Sequence, residues 1–460
     1  MTRAAAILAL LLLAACAGPR PEIPPQAATV PPQDWRSAPA AATAEVDAAW
    51  WQAFADPALT HIVETALANN VDIAIAASRV AEARGQFHLA QAQRWPNVTG
   101  TAGGGRERDV NPGFGIPEEQ TAGQAEVSVS YDLDLFGRLA DASDAARAAL
   151  LSSEAARDNV RLATAASAAS GYITLRALDA RLDVLRRTLA ARADSLRIAR
   201  RRAEVGYASQ LDLAQAEADY RTAEQLIPAA QLAIARQENG LSILLGDNPR
   251  AIERGVELHA IALPVVPPAV PASLMRRRPD IVAAEDQLVA ADHSLDSARA
   301  AFLPDVQLSA AGGVVGSTLI ASPVGIFSLG GSILAPIFDS GRLQAQQETV
   351  AARRDQAAFA YRKTALGAFR EVEDALSAVR RLDEQEASLA AQRATLAHAL
   401  ALATSRYREG YSPYLDQLDA ERGLLSTELA LVQARSDRLT AVVTLSQALG
   451  GGWNKPESTD

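Results

Sequence analysis

The feature that most constrains this chain is a duplication at one fixed spacing. The run Gly206-Tyr207-Ala208-Ser209-Gln210-Leu211-Asp212, continuing to Glu217, is matched by Gly410-Tyr411-Ser412-Pro413-Tyr414-Leu415-Asp416, continuing to Glu421. Gly137-Arg138 returns as Gly341-Arg342, and Leu241-Ser242 with Leu245-Gly246 returns as Leu445-Ser446 with Leu449-Gly450. In every case the offset is 204 residues. Three landmarks held in step mean no net insertion between them, which chance likeness among Ala-rich helices does not produce. The 460 residues must therefore fold as two equivalent halves.

Each half is dominated by a long helical segment. From Arg138 to Val205 there is no proline, and Gly171 is the single glycine. A continuous helix over that span is about 100 Å long at 1.5 Å per residue. Leu178, Leu182, Leu185, Leu189, Leu196, Ala199 and Ala203 are spaced as in heptads. Ala365, Phe369, Val372, Leu376 and Val379 step the same way in the second half. Beyond Gly206 a second helix is marked by Leu213, Ala216, Tyr220, Ala223, Ile227, Ala230, Ile234, Gln237, Leu241 and Leu244, with Pro228 expected to kink or loosen it. Each half thus predicts a long antiparallel helical hairpin turning at Gly206 or Gly410.

Before each long helix the period falls from 3.6 to 2. In residues 126–134, Val127, Val129, Tyr131 and Leu133 share one face, and Glu126, Ser128, Ser130 and Asp132 the other. Phe327, Leu329, Gly331 and Ile333 are the weaker counterpart. A further strand precedes each, over roughly Asn97–Arg106 and Asp305–Gly313, leaving 107–123 and 317–326 as loops. Strands of about ten residues suit a membrane barrel. Four cannot close one, whereas three chains supply twelve. Alternation by itself leaves open a soluble sheet packed on helices.

The N-terminus weighs on that choice. Met1-Thr2-Arg3, an apolar run from Ala4 to Ala15, and then Cys16 have the layout of a secretory signal too short to span a bilayer. Leu13-Ala14-Ala15-Cys16 resembles the bacterial lipobox, which makes Cys16, the one cysteine, the lipidated first residue of the mature chain. Ala17 follows it, and seven prolines lie between Ala17 and Pro39, as in an extended tether. A lone cysteine excludes an intrachain disulfide, and the five histidines show no ligand spacing, so neither a metal nor a cofactor beyond the lipid is expected. A net charge of −10 disfavours nucleic acid as a partner. Hydrophobic residues at 49% with aromatics at only 5% fit closely packed Ala-rich helices. No nucleotide loop or nucleophile–base pair is present, so the chain is not expected to be an enzyme.

Asp132-Leu-Asp-Leu-Phe-Gly-Arg138, Arg276-Arg-Arg-Pro-Asp280-Ile with Ala284-Glu285, Pro336-Ile-Phe-Asp-Ser-Gly341 and Ala448-Leu-Gly-Gly-Gly-Trp453 complete the pattern. In this order, with the duplicated hairpins, they resemble the TolC-like outer-membrane efflux factors, lipoprotein branch, over nearly the whole mature chain. The resemblance implies a mainly α fold with membrane β: a homotrimer with a periplasmic α-barrel and a twelve-stranded β-barrel, four strands per chain. It implies an outer-membrane protein, lipid-anchored, reaching into the periplasm. It also implies docking to a periplasmic adaptor and an inner-membrane pump of RND type. The expected organisation is a signal peptide over 1–15, a tether over 16–45, a first repeat over 46–250 and an equatorial linker over 251–279. A second repeat over 280–450 and a tail over 451–460 follow. Arg276–Arg278 are expected to be structural rather than a nucleic-acid patch.

The function expected is a passive exit duct for drugs or other small molecules. Polypeptide secretion through the same fold, and a periplasmic adaptor scaffold, remain as alternatives. By resemblance, Asp416 and Asp419 match positions forming acidic rings at the periplasmic constriction. Leu415 and Arg422 match hydrophobic and basic gate positions, and Tyr407 and Asp212 match residues tying neighbouring helices in the closed state. Ser412 stands where one relative has a basic tether. The turns at Gly206 and Gly410 are the expected docking points for the adaptor.

Overall fold

The computed structural model describes residues 19–37, 46–110, 113, 115, 117–266 and 270–454. Cys16 and the expected signal peptide lie outside the described residues. In chain order the main elements are α1 (Pro57–Asn69), α2 (Val71–Ala92), β1 (Asn97–Val110), β2 (Pro117–Asp132), α3 (Arg138–Glu204) and α4 (Gln210–Leu244). There follow α5 (Leu274–Arg277), α6 (Pro279–Ala300), β3 (Asp305–Ser317), β4 (Val324–Leu334), α7 (Arg342–Glu409) and α8 (Tyr414–Ala448). Two helices, two strands and a long hairpin thus recur, as the duplication requires. Contacts divide the chain into two units, one of residues 1–29, 78–154 and 283–363, the other of 30–77, 155–282 and 364–460. Each unit draws on both halves of the duplication.

The first unit holds an antiparallel sheet in the order β1-β2-β3-β4. Its register aligns Val98 with Val129, Val129 with Ala310, and Ala310 with Leu329. One row over, Gly100, Val127, Gly312 and Phe327 align in the same way. These rungs bring Val98, Val127, Val129, Phe327 and Leu329 to one face, because a pleat of period 2 carries the alternation across every matched rung. Phe327 and Leu329 are 85% and 80% exposed on that face. Gly313 faces Glu126, and a Cβ there would lie 2.3 Å from the Ala125 carbonyl, so the backbones approach too closely for any side chain. The expected loops are corrected: β1 runs on to Val110, β2 begins at Pro117 and β4 at Val324. Polar, Gly-rich composition suggested loops, but the ladder continues through it, with Glu107 opposite Gln120 and an Arg106–Glu119 ion pair of 3.1 Å. Cross-strand pairing outweighs the weak strand propensity of such residues.

In the same unit, α3 opens on the Asp134 carboxylate, which accepts from Leu139 N at 3.0 Å and Ala140 N at 2.8 Å. Asp339 does the same for α7, accepting from Leu343 N at 2.9 Å and Gly341 N at 3.0 Å. Those backbone donors, Leu343 first, hold the Asp339 carboxyl below its usual range. Both aspartates belong to the family motifs, which are helix starts in physical terms. The described part of the tether, residues 19–37, is held by arginines. Arg354, 1% exposed, donates to the carbonyls of Pro21 at 2.6 Å and Glu22 at 2.9 Å, and Arg20 pairs with Asp292 and Asp296, both at 2.9 Å.

The second unit contains the main core, built around Trp50, Phe54, Leu59, Tyr172, Ile173 and Leu241. Asp56 caps α1, accepting from Ala58 N at 2.9 Å, and also accepts from the Tyr172 hydroxyl at 2.9 Å. Burial raises the Tyr172 phenol far above its ordinary value. Gly171 marks the close contact of the hairpin: a Cβ would fall 2.9 Å from Leu241 Cδ2, and its carbonyl accepts from Gln237 Nε2 at 2.8 Å. Leu182, Leu185 and Ala199 on α3, and Ala216, Ala223, Ala230 and Leu241 on α4, are buried along the expected seam. Pro228 lies inside α4 and does not end it. The linker packs on the core through Ile252, Leu258 and Ile261. Arg278 is buried, pairs with Asp280 at 2.7 Å and Glu371 at 2.8 Å, and donates to the Ala448 carbonyl at 3.0 Å. That is a structural arginine. Among the described residues no helix is long and apolar enough to cross a membrane.

Candidate functional site

The candidate site lies at the two hairpin turns, both in the second unit. Glycine ends both long helices for the same reason. Gly206 has φ of 81° and Gly410 of 85°, the left-handed region where an L side chain is strained. The following N–H reaches back across the last turn, Tyr207 N to Arg202 O at 2.7 Å and Tyr411 N to Arg406 O at 2.8 Å. Each turn thereby satisfies carbonyls that the helix leaves open. The next helix in copy one is capped by Ser209, whose hydroxyl accepts from Asp212 N at 3.1 Å while Asp212 accepts from Ser209 N at 3.2 Å. In copy two the N-cap is Pro413, and there is no side-chain cap.

Copy two carries most of the side-chain chemistry. Tyr407 at the end of α7 stacks on Tyr414 at the start of α8, centroids 5.5 Å apart and planes tilted by 55°. Arg202 of α3 lies 4.7 Å over the Tyr407 ring and donates to the carbonyls of Tyr407 at 2.8 Å and Arg408 at 2.6 Å. Cation, ring and carbonyls thus join the end of hairpin one to the end of hairpin two. Burial raises both phenols, and for Tyr414 the Glu421 and Asp219 carboxylates push further the same way. Ala199, Ala216 and Leu418 complete this small core.

A polar layer adjoins it. Gln417 Nε2 donates to Ser195 Oγ at 2.9 Å and to Glu421 Oε1 at 2.7 Å. Arg192 Nη1 donates to the Asp219 carbonyl at 2.8 Å, and Arg422 Nη2 meets the Asp219 carboxylate at 2.9 Å. Asp219 is 5% exposed and Arg422 56%, so this ion pair has one buried end and one wet end. Arg192 Nε, Asp219 Oδ2, Tyr414 Oη and Glu421 Oε2 are buried with no hydrogen-bond partner among the described residues. Each such atom is costly unless water or a neighbouring chain supplies a partner.

The four expected gate residues of α8 fall on one face. Leu415, Asp416, Asp419 and Arg422 lie on its exposed face, while Tyr414, Gln417, Leu418 and Glu421 are buried on the other. Tyr407 and Asp212 are not hydrogen-bonded to each other: Tyr407 is held by Tyr414 and Arg202, and Asp212 by Ser209. Tyr414, Arg202, Arg192 and Asp219 were missed. Only the aromatic pair Tyr407 and Tyr414, seven residues apart across a turn, left a signal that sequence reasoning could have used. Away from the expected site residues, the carboxylates of Asp141 and Asp144 and the imidazole of His293 come together in the first unit. Inspection of near-neighbour spacing cannot find a histidine whose partner is 152 residues away.

The family profile described as outer membrane efflux protein matches the sequence twice, over residues 62–247 and 270–451, once per half. The chain belongs to this family. It is 37% identical over 421 residues to the toluene efflux pump outer membrane protein TtgC of Pseudomonas putida, covering 89% of this chain and 86% of the relative. It is 30% identical over 413 residues to the cation efflux system protein CusC of Escherichia coli, covering 89% of each. Among solved structures, the outer-membrane channel OprN superposes with a TM-score of 0.88 at 28% identity, covering 95% of this chain and 99% of that one. As a member of the family, the chain is the outer-membrane channel of an efflux system, with the fold of the TolC-like channels.

Proposed function

We propose that three copies form the exit duct of a tripartite efflux assembly. Their twelve strands close a barrel in the outer membrane, and their long hairpins form a periplasmic tube that is constricted at the turns. A periplasmic adaptor, docking at Gly206 and Gly410, and an inner-membrane pump of RND type open it. The cargo is drugs or other small molecules, which pass without catalysis. Cys16 carries a lipid that adds a second anchor.

One observation carries this reading: a four-stranded sheet in which Val98, Val129, Ala310 and Leu329 line up on one face, and whose outer strands β1 and β4 pair with no further strand among the described residues. Lipid tolerates no open sheet edge, and four strands cannot close on themselves. The substitution Val129→Arg tests it, because an arginine facing the mid-bilayer costs roughly 2–4 kcal/mol. Reduced trimer in outer-membrane fractions is expected, and normal insertion and abundance would place that face elsewhere. Accumulation of a fluorescent drug in cells lacking the channel, reversed by re-expression, tests the cargo class. Retention of a secreted polypeptide instead would favour the secretion alternative. Mass spectrometry of the mature N-terminus decides the lipid on Cys16.

A further inference from the structure

We propose that Asp141, Asp144 and His293 form a binding site for a divalent transition-metal ion of the Zn2+ or Co2+ class, bridging α3 and α6 beside the sheet. Asp141 and Asp144 are three apart on α3 and so share a face. His293 reaches them from α6, with Nδ1 at 3.3 Å from Asp141 Oδ1. One ligand atom from each of the three residues lies within 4.8 Å of the other two. Bonds of about 2.0–2.2 Å place adjacent ligand atoms roughly 3 Å apart. The His293–Asp141 pair is already at that spacing, and an Asp144 carboxylate oxygen lies within 4.8 Å of both.

The surroundings fit a site rather than a chance meeting. The two helices are pinned on either side of the cluster, by Ser297 Oγ donating to the Arg138 carbonyl at 2.8 Å and Ser152 Oγ donating to the Ala283 carbonyl at 2.8 Å. The ligands therefore need not pay to bring their helices together. Arg20 pairs with Asp292 and Asp296, and Arg138 pairs with Asp305 at 3.2 Å. The cluster offers two carboxylates and one imidazole, a donor set suited to a dication. An imidazole among carboxylates favours Zn2+, Co2+ or Ni2+ over Mg2+ or Ca2+. Three protein ligands leave open positions for water, so the ion exchanges. Its effect is to clamp α3, which leaves β2, to α6, which enters β3.

The test uses the intact detergent-solubilised trimer, stripped with a chelator. Co2+ titrated by visible absorption and Zn2+ by calorimetry should each saturate at one ion per protomer. Thermal unfolding should shift upward with Zn2+ as mass action requires, and not with equal Mg2+. His293→Ala and Asp144→Asn should each weaken binding by about tenfold or more while leaving trimer and bilayer conductance unchanged. His61→Ala, on α1, should leave binding unaltered. No saturable binding below about 1 mM, or binding indifferent to both ligand substitutions, overturns the site.

Discussion

The two hairpin turns share a backbone and differ in what it carries. Both end a long helix on a left-handed glycine, with the same reach-back hydrogen bond, and both place an aspartate at the third position of the next helix. In copy one that aspartate, Asp212, is tied into a capping box by Ser209. In copy two Pro413 stands at the matching position. Proline has neither a hydroxyl to offer nor an N–H for a carboxylate to accept, so Asp416 is released from capping. Ala203, Gln210, Gln215 and Ala218 of copy one correspond to Tyr407, Tyr414, Asp419 and Arg422 of copy two. The duplication preserved the turn, whose geometry is demanding. At these four positions the aromatic and charged groups stand in copy two only. A helix end and a functional charge are separable inventions.

The comparison breaks most readily at the tyrosines. Tyr414→Ala removes a side chain 1% exposed and should cost about 3–5 kcal/mol of local stability, read as faster hydrogen exchange of the tip amides. Gln210→Ala, at the matching exposed position, should change exchange by no more than about 0.5 kcal/mol. Equal effects at the two positions would end the asymmetry. Next come the glycines. A Cβ at Gly206 or Gly410 meets nothing within 4 Å, so alanine there carries only the backbone cost, about 1–2 kcal/mol at each. Unequal losses in the same exchange measurement would mean the turns are not equivalent. Ser209→Ala should cost about 1 kcal/mol by removing the cap, and would release Asp212 as Asp416 is released.

The finest test is of charge. With three-fold symmetry, Asp416 and Asp419 would each present three carboxylates to one axis, attracting cations and opposing closure of the ring. Asp416→Ala with Asp419→Ala should weaken cation selectivity in planar bilayers. Pro413→Ser should do so more mildly, by drawing Asp416 into a capping box like that of Asp212. If both channels keep the parent selectivity, the constriction lies at Leu415 instead.

Much of this architecture is local and so was legible in the residues. The helices follow from heptad steps such as Leu182 and Leu185, the turns from Gly206 and Gly410, and the strand faces from the alternation at Val127 and Val129. Each depends on neighbours within a few positions, where backbone sterics and period dominate. The strand ends were misjudged because residues such as Glu107 and Gln120 become strand only when each finds the other across a hairpin. The site was legible only in part: Asp416 and Asp419 came from the family resemblance, and their exposure on one face of α8 comes from the structure.

What only the tertiary structure decided are meetings between distant segments. Arg202 finds the carbonyls of Tyr407 and Arg408, Arg422 finds Asp219, and His293 finds Asp141. The sequence by itself determined the two hairpins, their lengths, their turns and the two-faced strands, because helix period, glycine conformation and strand pleat act over short range. It could not determine these pairings. They depend on which faces of long, similar Ala-rich helices come into contact, and that choice is made by packing over the whole chain.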